Sequence, residues 1–180
     1  MLLAQSNGPI DPTASVKRGV FAPGDTWIST EYLFRRDTDG DYWLMGRRGS
    51  VVHTARGFVY AEPVTDALGH LTGVDLAVTY DVPVAGRRLA VSALALLPGA
   101  TITAADLTEA VANMPVGLGP DIVHVVPQLP LSPTTYRPTV STLRAAGIPK
   151  AGRQAWYFDS GSNEFRRLTP GVKAELSGKH

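Results

Sequence analysis

The chain has 180 residues, 44% of them hydrophobic and 18% charged, with a formal net charge of +1 and no cysteine. This is enough apolar content for one packed domain with appendages, and it excludes a disordered tail, a disulfide scaffold and a thiolate metal site. The near-neutral charge argues against a nucleic-acid partner, no run approaches the roughly 18 apolar residues of a membrane span, and MLLAQSNGPIDP lacks the basic start of a secretory signal. With no cysteine, the chain fits a reducing, cytoplasmic setting.

Residues 1–26 are rich in Gly, Pro, Asn and Ser and read as loops with one short strand. TWISTEYLFRR and DYWLMGRR flank Asp39-Gly40, a hairpin signal between two aromatic, β-branched segments. VVHTARGFVY repeats the design around Ala55-Arg56-Gly57, with Gly46 to Ser50 as the joint. From Glu62 the period changes: Val64, Leu68 and Leu71 fall at i, i+4 and i+7, with Pro63 tolerated in the first turn, so a helix follows.

VDLAVTYDVPV and RRLAVSALALL read as strands, the second apolar on both faces and therefore central. Thr103 and Asp106 form a capping-box variant for a helix with Leu107, Val111 and Met114 inward, ended by Pro115. DIVHVVPQLPL is a further strand. Pro138 is placed as the first residue of a helix whose inner face holds Val140 and Leu143, closed by Gly147. WYFD and EFRRL around Ser-Gly-Ser-Asn form a last hairpin, and the tail from Pro170 reads as polar and frayed. The expected class is α+β: two successive β-hairpins, then a small mixed sheet covered by helices.

Several kinds of chemistry are missing. The four histidines, His53, His70, His124 and His180, have no paired ligand spacing, so no metal site is expected. Neither G-x-x-x-x-G-K-[ST] nor G-x-S-x-G occurs, and Gly117-Leu118-Gly119 lacks the third glycine of a dinucleotide fingerprint and reads as a loop. Arginines come in adjacent pairs at 35–36, 47–48, 87–88 and 166–167. Such pairs serve as solvated strand ends or as bidentate anion contacts. Asp25, after Pro23-Gly24, suits either an Asx-turn or acceptance of ribose hydroxyls. Arg137, at the start of the expected helix, opposes the helix dipole but stands beside free backbone N–H groups, which together suit an anion.

Taken in order, these stretches resemble the C-terminal part of the AMP-forming acyl-CoA synthetases of the adenylate-forming (ANL) superfamily. The closest branch is that of the long-chain and very-long-chain fatty acid–CoA ligases, including the fatty-acid-transport-protein group. The resemblance runs from about Val20 to Thr169. FAPGDTW resembles the segment whose Asp holds the ATP ribose, which falls on Asp25. DGDYWLMGRRGS resembles the segment before the hinge whose Arg contacts the nucleotide, which falls on Arg47, so that Arg48 and Gly49 take the hinge. The loop around Arg56 and Gly57 occupies the place of the Gly-rich loop that lines the CoA tunnel. YDVPVAGRRLAVSALAL and QLPLSPTTYRPTVSTLRAAGIP resemble the segments that follow. In the second, the family's lysine lies six residues before the leucine matched by Leu143, which counts back to Arg137.

In the family that lysine bridges the substrate carboxylate and the α-phosphate. Arg137 keeps the charge and changes its geometry from a point to a plane. The resemblance implies a fatty acid–CoA ligase using ATP, Mg²⁺ and CoA, with the fatty acid and CoA as substrates. It also implies a large N-terminal domain outside this chain, a cytoplasmic location and scope for peripheral membrane association. The implied organisation is 1–47 as the tail end of that large domain, 48–150 as the mobile domain and 151–180 as an extension, with no cofactor tightly bound and no activity for the fragment alone. The alternative is a degenerate, non-catalytic domain of the same family that binds a nucleotide, CoA or a partner protein.

Overall fold

The computed structural model describes residues 2–5, 10, 13–112, 114 and 118–178. The expectations placed on Pro115, Gly117 and His180 lie outside these residues. The chain divides into two compact units, Met1–Val51 and Val52–His180.

In the first unit, β1 (Leu3–Gln5), β2 (Val16–Arg18) and β3 (Thr26–Ser29) form a small antiparallel sheet in the order β1-β3-β2. Strands β4 (Tyr32–Arg36) and β5 (Tyr42–Arg47) form the expected hairpin. TWISTEYLFRR, read as one strand, is two strands in different sheets. Its break is Glu31, held at φ +60° with its carboxylate accepting from Ser29 Oγ at 2.8 Å. At the β4–β5 turn the Asp37 carboxylate accepts from Trp43 Nε1 and from the amides of Asp39 and Asp41. These donors, the indole first, hold its carboxyl below the ordinary range.

The second unit opens with the hairpin of β6 (Val51–Thr54) and β7 (Gly57–Tyr60), then α1 (Ala61–Gly69). Its centre is a five-stranded sheet in the order β12-β11-β10-β9-β8. Strands β8 (Val74–Val84) and β9 (Arg87–Leu96) pair antiparallel. After β9 the chain crosses through α2 (Ala104–Ala112) and returns as β10 (Ile122–Val126), parallel to β9. Strands β11 (Ala155–Asp159) and β12 (Glu164–Arg167) complete the sheet as an antiparallel hairpin against β10. The α+β class holds, with a mixed sheet as expected.

The alternation of β9 explains the two-sided core. Ala90 and Leu94 join Val64 and Leu68 of α1 and Leu107 of α2 on one face, while Val91, Ala93 and Ala95 join Val82, Ile122 and Leu168 on the other. Ser92 points into the first face, but its hydroxyl bonds Thr79 at 2.9 Å, and Thr65 of α1 donates on to Thr79 at 3.1 Å, so the buried polar group is satisfied. The capping box of α2 forms: Thr103 N and Oγ1 donate to Asp106 Oδ2 and Asp106 N returns a bond to Thr103 Oγ1.

Two expectations fail on the other face. Helix α3 is only Ser141–Ala145, so Pro138 does not open it; Pro138 instead bridges Leu131 across a tight loop. The tail from Pro170 is a helix, α4 (Pro170–Leu176), with Thr169 Oγ1 accepting from Val172 N and Pro170 in the first turn. Leu143 of α3 and Val172 and Leu176 of α4 pack on the second core face.

Candidate functional site

Asp25 sits at the end of a loop that folds back on its carboxylate. Val20 N donates to Oδ1 at 2.8 Å, while Phe21 N and Ala22 N donate to Oδ2 at 2.8 and 2.9 Å. Desolvation by the loop pushes the carboxyl up, but the nearby Trp27 indole and the three amides outweigh it and bring the pKa down to about 2. The indole N–H is buried and has no partner at ordinary hydrogen-bond geometry, so its effect is that of a nearby dipole. A carboxylate offers about four acceptor sites, and the loop occupies three of them.

Arg47 ends β5. Its guanidinium lies over the Tyr32 ring at 5.0 Å and donates to Tyr32 Oη at 3.3 Å, while remaining exposed. The Ser50 hydroxyl accepts from Arg47 N and donates to Arg47 O, closing a single 3₁₀ turn, Arg48–Ser50. Arg48 N donates to Glu31 O at 2.8 Å. A Cβ on Gly49 would meet open space, and its backbone is not in the left-handed region, so the fold itself does not require glycine there.

Arg56 and Gly57 turn the β6–β7 hairpin. Gly57 has φ +134°, a conformation that favours glycine. Arg56 faces inward: Nε donates to Asp121 Oδ1 and Nη2 to Gly119 O, both at 2.9 Å, and the guanidinium covers the Phe158 ring at 4.6 Å. Asp121 also accepts from Ala90 N at 2.8 Å, so this ion pair ties the hairpin to the start of β10 and to β9. The Arg56 head is largely committed to the fold.

Arg137 is arranged differently. It lies in the 131–138 loop, not at a helix start, because α3 begins four residues later. The loop is closed by Ser132 N to Arg137 O at 2.9 Å and Tyr136 N to Ser132 O at 2.9 Å, with Tyr136 at φ +53°. The side chain of Arg137 is exposed and has no ion pair or hydrogen bond among the described residues. The helix-terminus part of the anion argument therefore falls, and the free guanidinium remains.

Asp25 and Arg47 belong to the first unit, where no hydrogen bond joins them among the described residues. Arg56 and Arg137 belong to the second: Arg56 meets Asp121 just before β10, while Arg137 lies in the 131–138 loop, eleven residues beyond the end of that strand. Several paired arginines are already partnered: Arg36 lies 5.7 Å over Tyr42, Arg88 pairs with Asp81, and Arg166 pairs with Asp159 at 3.1 Å. Asp81 also holds Arg144 of α3 at 2.6 Å, fixing that short helix to the edge of β8. Sequence reading missed one polar pair. Tyr80 Oη lies 3.1 Å from His124 Nε2, and burial pushes the phenol up and brings the imidazole down to about 4. Both residues sit inside apolar strands, a signal that periodicity treats only as core. Among the described residues no three His, Asp or Glu side chains gather as a metal site.

No protein-family description and no curated protein matches the chain. Solved structures do. Apo MatB from Rhodopseudomonas palustris matches at TM-score 0.57 and 22% identity, over 67% of this chain and 24% of that one. The Mycobacterium tuberculosis fatty acyl CoA synthetase matches at 0.54 and 15%, over 67% and 24%. The O-succinylbenzoate Coenzyme A synthetase (MenE) from Bacillus subtilis, in complex with AMP, matches at 0.53 and 19%, over 71% and 25%. The fold is thus one that this chain shares with part of each of these synthetases. The chain spans about a quarter of the length of the solved structures it matches.

Proposed function

We propose that the chain is the C-terminal part of an AMP-forming fatty acid–CoA ligase, acting in acyl adenylation and CoA thioester formation together with a large N-terminal domain. The observation that carries this reading is the shared fold with chains of which the match covers only about a quarter, among them synthetases solved with ATP or AMP. Supporting it is Arg137, an unpartnered cation on an exposed loop off the sheet. In the proposed reaction Arg137 takes the lysine's place, contacting the acid's carboxylate and the α-phosphate as they join. Its planar head suits two anionic oxygens. Asp25 gives its remaining acceptor site to the ribose and Arg47 faces the nucleotide. Arg48-Gly49 absorbs the change of pose between the two half-reactions, and the loop at Arg56 and Gly57 faces CoA through its backbone. Mg²⁺ would come with the ATP phosphates rather than in a dedicated protein cage. The setting is cytoplasmic, with peripheral membrane contact during delivery of the acid.

A second reading is favoured by a specific observation. Arg56 is committed to Asp121 and Gly119, and Asp25 to three amides, which suits a domain that binds a nucleotide, CoA or a partner without chemistry. The test is pyrophosphate release and acyl-CoA formation by the full-length chain with a long-chain acid, ATP, Mg²⁺ and CoA. Turnover that is lost in Arg137→Ala and retained in Arg137→Lys supports the ligase. Tight nucleotide binding with no acyl-AMP at any chain length supports the non-catalytic reading.

A further inference from the structure

On the α3 and α4 side of the second unit lies a groove of about 860 Å³, within the range of small-molecule sites. Its apolar lining includes Val126, Leu143 and Ile148. Three cations stand around it, Lys150, Arg153 and Lys173, and no carboxylate lines it. Lys150 and Arg153 are exposed and have no partner among the described residues, while Lys173 Nζ donates to the Ile148 carbonyl at 3.1 Å and has no ion pair among them. The Tyr80–His124 pair also borders the groove, and the second ring nitrogen of His124 has no partner among the described residues.

Uncompensated positive charge beside an apolar cleft repels cations and gains little from a neutral occupant. A small ion alone would leave the apolar wall wet, and an uncharged chain would leave the cations unused. We propose that this groove binds an amphiphilic anion: a phosphate or carboxylate head on Lys150, Arg153 and Lys173, and a short aliphatic body against Val126, Leu143 and Ile148. The site lies wholly within the second unit and does not depend on the adenylation reading. The ligand uses the open ring nitrogen of His124 only as a neutral neighbour, so no proton transfer is involved.

The test titrates the 180-residue chain with octyl phosphate and with octanoate, below their micelle concentrations, by calorimetry and by the imidazole resonances of His124. Octyltrimethylammonium and inorganic phosphate serve as controls. The expected result is saturable binding of one or both amphiphilic anions that shifts the His124 signals, weakened about tenfold by the exposed double substitution Lys150→Glu/Arg153→Glu. Preference between the two probes identifies the head group. A second variant, Ala146→Trp, places bulk at the mouth of the groove without touching a charge and should also block binding. Absence of binding overturns the proposal. So does affinity unchanged in both variants, equal binding of the alkylammonium, or inorganic phosphate binding as tightly as octyl phosphate.

Discussion

The β6–β7 turn and the 131–138 loop both carry an arginine that family resemblance assigns to a ligand. The structure separates them. Arg56 has two hydrogen bonds, a carboxylate at 2.9 Å and an aromatic ring beneath it, with only 19% of its side chain exposed. Arg137 is held only through its backbone, by a loop strained enough to put Tyr136 at positive φ. A guanidinium that has already found a carboxylate and a carbonyl must lose both before it can meet a phosphate. One that points into solvent has only its hydration to give up. Availability, rather than residue type, distinguishes a ligand-facing arginine from a structural one.

The comparison can be broken most directly at Arg137. If the chain belongs to a ligase as proposed, Arg137→Ala in the full-length protein should lower acyl-adenylate formation by about 10²-fold or more while leaving the melting curve in place. Loss of stability instead would make it a structural residue like Arg56. The converse variant, Arg56→Ala, leaves Asp121 without its cation and should destabilise the second unit by about 3 kcal/mol in denaturant unfolding, with CoA affinity retained once folded. A stable Arg56→Ala protein that binds CoA poorly would erase the contrast. Gly57→Ala, at φ +134°, should cost about 1–2 kcal/mol, because the turn that aims Arg56 inward needs that conformation.

The strand between the two loops supplies a pH test. Burial holds folded His124 near a pKa of about 4, against an ordinary 6.5 in the unfolded chain. Above pH 6.5 both states are neutral there and stability is full. As pH falls from 6.5 to about 4 the unfolded state takes up the proton first, so stability drops, and below about 4 this contribution levels off. His124→Gln should remove this part of the acid sensitivity, read from unfolding midpoints between pH 7 and 4. A variant with an unchanged pH profile would show that His124 is not the responsible group.

Long apolar runs made β8, β9 and β10 legible, since a sequence such as RRLAVSALALL can be buried on both faces only at the centre of a sheet. The capping box at Thr103 and Asp106 was legible because its bonds close within one turn. Pro138 misled because a proline opens a helix and closes a loop with the same fixed φ, and Leu131, seven residues back, decides between them. Helix α4 had its signals in view, Thr169 before Pro170 and Val172 and Leu176 four apart, but its polar residues outweighed them. Strands β1 and β2, three residues each, are too short to show a period and exist through β3. At the candidate site, residue types could be read but partners could not. Asp121 stands 65 positions from Arg56, and only the fold shows that they meet.

The β11–β12 hairpin, by lying against β10, also acts as a bandage. Beneath it Ile122–Val126 is a strand with no acidic side chain, lysine or arginine and one half-buried histidine, while the outermost strand it substitutes carries Glu164, Arg166 and Arg167. A chain stopped at Lys150 would bare that inner strand as an unguarded template for pairing with another molecule. The last thirty residues thus cover an edge that would otherwise be open to pairing.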